Sequence, residues 1–382
     1  MRGNKLFKFV DRFIGIPLLW LTSLVKARGG DLSDVRPKRI LVVKFSALGD
    51  AVLLVPALDA LRKKFADAEI VFLGTNLTIP FLRIFPEYID EFVSLNIGNI
   101  LRRPMTIVAM IKRLRAMEFD LAIDFEQWLR LSALLVRLSG ARWRAGFRTK
   151  GQHRHRGFTH VADRDTSKHE RLNFLAVVRL VTNITHDSVP AVKIDESGLV
   201  RAQGFLIKHG WQKPMAVITV HPGCGTHGFP REWEPKKYSD FVSRLGRDRS
   251  LFCVVTGTEQ EQQVMDAVRR VSQVPVAVYT IQELSDYVAL LSLSDLFVSS
   301  NNGAMHLAAA VGIPQVALHG PTNAVQWGPL NRRAVIVTSN CPLCPCLDLG
   351  FEYHRTDGYC MEQINVDAVY SAARSIDLTG ER

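Results

Sequence analysis

No stretch of this sequence reaches the roughly 18 consecutive uncharged apolar residues that a membrane-spanning helix needs. The longest apolar run, residues 13–25, is interrupted by Gly15 and Pro17. Lys5, Lys8 and Arg12 precede it, and Lys26 and Arg28 follow. No small-residue cleavage site comes after Val25, which argues against a secretory signal of similar charge order. Cysteine is scarce, with six in 382 residues, too few for a disulfide framework in a chain this long. Internal repeats and low-complexity segments are missing. So are the Gly-Lys-Ser/Thr ending of a phosphate-binding P-loop and the dinucleotide fingerprint.

What is there is ordinary globular sequence, 47% apolar and 22% charged. At 382 residues it exceeds what one hydrophobic core usually serves, so two domains are expected. Residues 6–26 read as an interfacial anchor, with Trp20 and the basic flanks at headgroup level. The alternative is a helix packed on the protein itself, and Pro17 weakens a single amphipathic helix. The net charge of +11 is lopsided. Residues 1–190 hold 31 Lys/Arg against 18 Asp/Glu, and residues 191–382 hold 17 against 19. Within the first half, residues 100–156 carry 13 basic and 4 acidic side chains. The first domain is therefore expected to meet something anionic. That stretch lacks the interleaved aromatics of a nucleic-acid stacking platform, so no nucleic-acid partner is expected.

Near-continuous β-branched runs alternate with helical spacing. Strands are predicted at 40–45, 70–73, 92–95, 121–125 and 143–147, with a helix over 51–65 between the first two. After a polar stretch at 187–198 the pattern restarts, with strands at 215–220, 251–255, 276–279, 296–299 and 315–318 and helices over 240–245 and 261–271. This alternation predicts an α/β protein of two doubly wound, Rossmann-like parallel-sheet domains. The boundaries are 37–190 and 191–382, after an N-terminal surface segment, 1–36. Two such domains facing each other form a cleft suited to a two-substrate reaction.

Three stretches carry chemistry. Lys44-Phe45-Ser46-Ala47-Leu48-Gly49-Asp50 is a strand end and turn opening a helix, and it places Asp50 at the helix N-cap. That position suits either a cap or an ionised general base. His221-Pro222-Gly223-Cys224-Gly225-Thr226-His227-Gly228 is a glycine-rich turn able to cradle phosphate, with Arg231 just beyond to neutralise a diphosphate. In Ser299-Ser300-Asn301-Asn302-Gly303-Ala304-Met305-His306 a strand runs into a helix that ends at Gly312 and Pro314. Its N-terminus is an anion site. His306, one turn in, reads as a ligand of the same anion, against the alternative of a satisfied core histidine.

Residues 40–50, Asn-Gly-Ala-Met-His-Leu-Ala-Ala-Ala at 302–310, and His319-Gly320-Pro321-Thr322 through Trp327-Gly328-Pro329 together resemble glycosyltransferase family nine, the ADP-heptose:lipopolysaccharide heptosyltransferases. The resemblance runs from about residue 38 to 370. It implies a GT-B fold and inverting transfer from a nucleotide-sugar donor, usually ADP-heptose. The implied acceptor is an anionic glycolipid, the lipopolysaccharide inner core, at the cytoplasmic face of the bacterial inner membrane, where the protein is held peripherally. Carried over to this chain, Asp50 is the catalytic base. Thr226 and Arg231 fall in the donor loop, with Arg231 where a diphosphate-binding lysine is common. Glu261 matches the acid at the ribose and Gln282 the contact to the base. Gly303 and His306 mark the phosphate-binding helix start.

Asn301 and Asn302 depart from the family, which usually has Asp and then Ser or Thr at these positions, and the loop 221–233 is longer. The amide of Asn301 can donate as well as accept, which bears on the sugar recognised. The implied mechanism needs no metal, cofactor or covalent intermediate. Two other readings stand beside it, a sugar-nucleotide epimerase of the same architecture and an inactive member acting as a binding protein. Cys341, Cys344, Cys346 and Cys360, with His354 between, offer enough ligands for zinc. Their spacing matches no well-known finger, because Cys346 follows Cys344 so closely, and reduced structural thiols are the alternative. Cys224 and Cys253 read as single core or loop thiols.

Overall fold

The structure, a computed structural model, describes residues 5–24, 35–182, 191–225, 228–248, 250–348 and 357–376, with Leu32, Ile184, Glu352 and Tyr353. The chain divides into two compact units, residues 1–188 and 189–382.

The first unit begins with helices α1 (Lys5–Phe13) and α2 (Gly15–Ser23). It continues through β1 (Arg39–Val43), α3 (Leu48–Lys64), β2 (Glu69–Gly74), α4 (Ile79–Arg83), β3 (Glu91–Ser94) and α5 (Met105–Ala116). Then come β4 (Leu121–Asp124), α6 (Arg130–Leu138), β5 (Trp143–Arg148), β6 (His160–Asp163) and α7 (Glu170–Val178). All six strands pair in parallel, in the order β3-β2-β1-β4-β5-β6. The central strand Arg-Ile-Leu-Val-Val is buried from its second residue on, as a parallel strand covered on both faces must be.

The second unit runs α8 (Glu196–Lys208), β7 (Ala216–His221), α9 (Pro235–Asp248), β8 (Leu251–Gly257), α10 (Gln262–Val271), β9 (Val276–Thr280), α11 (Leu284–Ser292) and β10 (Leu296–Ser300). It ends with α12 (Gly303–Val311), β11 (Gln315–His319), α13 (Ala324–Trp327), β12 (Ala334–Thr338), the small ladder β13 (Leu347–Asp348) with β14 (Glu352–Tyr353), α14 (Tyr359–Glu362) and α15 (Val366–Ser375). Its large sheet is again all parallel, ordered β12-β11-β10-β7-β8-β9. Its core joins Ile218, Trp233, Phe241, Val298 and Val316 to Val369 and Ala373 of α15.

All ten predicted strands are present. In the two large sheets the strands not predicted, β6 and β12, lie at the edges, where burial on two faces no longer dictates a continuous apolar run. Residues 6–26 form two helices rather than one, and they pack on the first unit. Phe7 and Leu19 join its core. The buried Asp11 carboxylate accepts the backbone N–H groups of Arg130 and Leu131 and faces the Arg130 guanidinium at 3.3 Å. The Arg137 guanidinium donates to the Thr22 carbonyl. On the other side of the pair, Leu6, Phe9, Phe13, Ile14, Leu21 and Leu24 are exposed. The structure shows the packed-helix alternative, and the exposed apolar residues lie on the same helix pair. No helix among the described residues is long and apolar enough to cross a membrane.

The basic stretch 100–156 is only partly a surface feature. Arg130, Arg144 and Arg154 are buried. Arg154 pairs with Asp124 at 2.7 Å, and Arg144 donates to the carbonyls of Ala141 and Gly157. Burial, with Arg137 nearby, pulls the Arg144 guanidinium down to about 10. Arg102, Arg103, Lys112 and Arg113 remain exposed.

Candidate functional site

In the first unit the polar centre lies where β1 and β4 end. Asp50 is not the helix N-cap that the sequence indicated. The cap of α3 is Ala47, which makes no side-chain cap bond, and Asp50 sits in the first turn. A carboxylate there still lies at the positive end of the helix dipole. Its Oδ2 is 2.9 Å from Lys44 Nζ and accepts from Gln127 Nε2 at 3.1 Å. Lys44 follows an apolar strand and is wholly buried, which its carboxylate and amide partners make tolerable. It donates to Gln127 Oε1 at 2.7 Å and lies 3.5 Å from Glu126 Oε1.

Glu126 fixes the turn that carries Asp50. Its Oε1 accepts the backbone N–H of Phe45 at 2.6 Å and that of Ser46 at 2.7 Å. Gln127 also donates to Glu170 Oε1 at 3.0 Å, and Glu170 pairs with Arg164 at 2.7 Å. Beneath them burial pushes Asp124 up to about 6 against the pull of Arg154. Sequence reasoning found Asp50 but missed Glu126, Gln127, Arg164 and Glu170. The available signal was a polar Glu-Gln pair directly after a fully buried parallel strand.

In the second unit the candidate residues lie along the carboxyl ends of neighbouring strands. Beyond β7, Arg231 is buried rather than on the loop surface. Its Nη1 donates to the Asn301 carbonyl at 2.7 Å and its Nη2 to the Cys224 carbonyl at 3.2 Å. Beyond β10, Asn302 is the N-cap of α12, accepting Met305 N–H at 2.9 Å. Its amide donates to the Gly223 carbonyl at 2.9 Å, and the Asn301 amide donates to the Trp327 carbonyl at 3.0 Å. Both asparagines therefore use a donor that Asp, Ser or Thr could not supply in the same way. Gly303 opens α12, His306 is buried one turn in, and Gly312 closes the helix at φ 83°.

Beyond β8, Glu261 holds the glycine loop in place. Its Oε1 accepts Gly225 N–H at 2.9 Å, and its Oε2 accepts the Thr258 N–H and hydroxyl at 2.9 Å each. A Cβ at Gly223 would lie 2.2 Å from Glu261 Oε1, so a larger residue there must displace the Glu261 side chain. His221 Nε2 is 3.7 Å from the same carboxylate, and burial keeps this imidazole below its ordinary range. Gln282 is exposed in the turn after β9. The structure thus brings Arg231, Glu261, Asn301 and Asn302 together through the loop 222–225, and leaves Gln282 at the sheet's edge strand. Thr226 and His354 lie outside the described residues. Burial pushes the core thiols of Cys224 and Cys253 up to about 12 each.

The model of the family described as glycosyltransferase family 9 (heptosyltransferase) matches residues 107–353. Lipooligosaccharide heptosyltransferase 2 of Campylobacter jejuni is 20% identical over 335 residues, covering 86% of this chain and 95% of that protein. A glycosyl transferase family 9 crystal structure from Veillonella parvula superposes with a TM-score of 0.73 at 20% identity, over 93% of this chain and all of that one. The E. coli ADP-heptose LPS heptosyltransferase II does so with a TM-score of 0.68 at 20% identity, over 88% and 98%. Both units are thus doubly wound layers of the GT-B kind.

Proposed function

The chain belongs to glycosyltransferase family 9, the heptosyltransferases, and on that premise we propose that it moves a heptose from ADP-heptose, with inversion, onto an anionic glycan of the lipopolysaccharide core. The transferase class follows from family membership and sets aside the epimerase reading. Donor, acceptor and stereochemistry are the proposal.

The observation that carries it is Asp50, a carboxylate in the first turn of α3 with a buried lysine against one oxygen. A cation and a helix N-terminus both favour the ionised form, which a proton acceptor requires. Asp50 takes the proton of an acceptor hydroxyl as that oxygen bonds to the anomeric carbon. The bond from that carbon to the diphosphate oxygen breaks, and ADP leaves with the electron pair. A single displacement of this kind inverts the centre. Arg231 and the N–H groups opening α12 stabilise charge growing on the departing diphosphate. Arg102, Arg103, Lys112 and Arg113 give the acceptor unit an exposed cationic surface that suits a phosphorylated glycan. The outward apolar side of α1 and α2 suits a peripheral seat on the membrane that carries such a glycan, at its cytoplasmic face.

The test is transfer of heptose from ADP-heptose to a core acceptor by the parent and by Asp50→Asn. The variant should lose at least about a hundredfold in kcat while binding ADP as the parent does. Activity within a few-fold of the parent would remove Asp50 as the base. A parent inactive with every ADP-, UDP- and GDP-sugar tried would favour a binding protein instead.

A further inference from the structure

The cysteines near the C-terminus play no part in sugar transfer as proposed, and their arrangement points elsewhere. Although Cys346 follows Cys344 after one residue, the fold brings both into one cluster with Cys341 and Cys360. Cys360 Sγ is the hub, 3.5 Å from Cys346 Sγ and 3.7 Å from Cys341 Sγ. The sulfurs of Cys341, Cys344 and Cys360 all lie within 4.8 Å of one another. A disulfide holds its sulfurs at about 2.05 Å, so these contacts are not covalent pairs. Four thiolates about 2.3 Å from one tetrahedral ion stand about 3.8 Å apart along each edge. The two hub distances fall close to that edge, and Cys346, outside the closer group of three, would move in to complete the shell.

We infer that Cys341, Cys344, Cys346 and Cys360 form a tetrathiolate site for a divalent transition metal, zinc or iron(II), which staples the C-terminal segment of the second unit. Four sulfur donors in tetrahedral array select these metals over the oxygen-seeking cations. Binding would exchange thiol protons for the ion and release them to solvent. Full ligation leaves no open position for substrate, so the role is structural.

The backbone around the cluster shows what such an ion would hold. Cys344 N–H donates to the Cys341 carbonyl at 3.0 Å, closing a tight turn. The N–H groups of Cys346 and Leu347 both donate to the Pro321 carbonyl, at 3.0 and 2.9 Å. Pro321 lies two residues past the end of β11. A Cβ on Gly320 would meet Met361 Sδ at 2.4 Å and the Cys360 carbonyl carbon at 3.2 Å, so α14 lies directly on that exit. Beyond it, the Trp233 indole N–H donates to the Ile364 carbonyl at 2.9 Å. The ion would thus fasten the segments after β12 and around α14 to the end of β11.

The experiment uses the full chain, purified without a metal-affinity tag and under reducing conditions. Elemental analysis should find about one zinc or iron per chain, and the element found decides between them. After chelation, cobalt(II) should restore a thiolate-to-metal charge-transfer band and tetrahedral d–d bands. Cys360→Ser and, separately, Cys346→Ser should lose both metal and bands, whereas Cys253→Ser should keep them. Metal content below about a tenth of an equivalent in folded parent, with no cobalt band, would overturn the site. So would four titratable thiols in denaturant instead of the six free cysteines seen here, since a disulfide would then occupy the cluster.

Discussion

Lys44 Nζ lies 2.9 Å from Asp50 Oδ2, and the lysine is wholly buried while the aspartate retains a sliver of exposure. One buried ammonium thus faces the carboxylate proposed as base and, at 3.5 Å, the carboxylate of Glu126 that fixes the intervening turn. Lys44→Gln should keep hydrogen-bonding capacity but lose the charge. The kcat for transfer should fall at least about tenfold, because Asp50 loses the cation held against its oxygen. Removing one member of a buried ion cluster should also cost about 3–5 kcal/mol, read by denaturant unfolding. An unchanged kcat in a destabilised protein would make Lys44 a purely structural residue.

Arg231 bridges the Cys224 and Asn301 carbonyls between the glycine loop and the start of α12. Arg231→Ala should weaken ADP binding by about 1.5–3 kcal/mol, roughly ten- to a hundredfold in Kd, and adenosine binding far less. Calorimetric titration with both ligands checks this. Equal losses would show that the arginine only holds the loop. Gly223→Ala is the comparison, since its Cβ collides with Glu261 and should disturb the loop for either ligand.

The anchor is best tested without deleting it. Removing α1 and α2 would uncover the core around Phe7 and Leu19 and strip Arg130 of Asp11. Leu6, Phe9, Leu21 and Leu24 are exposed, so their joint replacement by Ser should change stability little. Flotation with anionic vesicles should fall at least about tenfold for the variant. Equal flotation with unaltered Tm would place membrane contact elsewhere.

His319, at the end of β11, is buried with its Nδ1 2.9 Å from the Thr322 hydroxyl, and burial holds it down to about 4. Below its unfolded value near 6.5 the unfolded chain takes up a proton that the folded chain refuses. Stability from this group is therefore present above about pH 6.5 and lost as pH falls toward about 4. The whole effect is about 3 kcal/mol. His319→Gln should lower by about one the number of protons taken up on unfolding between about pH 4 and 6.5. An unchanged proton count would show that other groups govern acid unfolding in that window.

Much of this protein was legible locally. Strands such as 40–45 and 251–255 reveal themselves as continuous β-branched runs because parallel strands covered on both faces admit little else. Asp50 was legible as a candidate residue, though the helix N-cap lies three positions earlier, at Ala47. The helix start at Asn302 or Gly303 and the closing Gly312 were legible because helix ends are set by short-range backbone bonds. Two of the four edge strands, β6 and β12, escaped notice, since burial on two faces no longer dictates their sequence.

Composition and periodicity by themselves determined two α/β units, a basic first half, and the order of candidate residues along the chain. Tertiary structure decided what those residues touch. Gln127 reaches Asp50 across 77 positions of sequence, and Glu126 holds the turn before it across 81. The fold turned three arginines of the basic stretch inward, where burial demands carboxylate or carbonyl partners. It also gathered four cysteines whose spacing alone matched no metal motif. Local spacing encodes secondary structure through steric rules acting over a few residues, whereas convergence of distant side chains is set by the packing of whole elements.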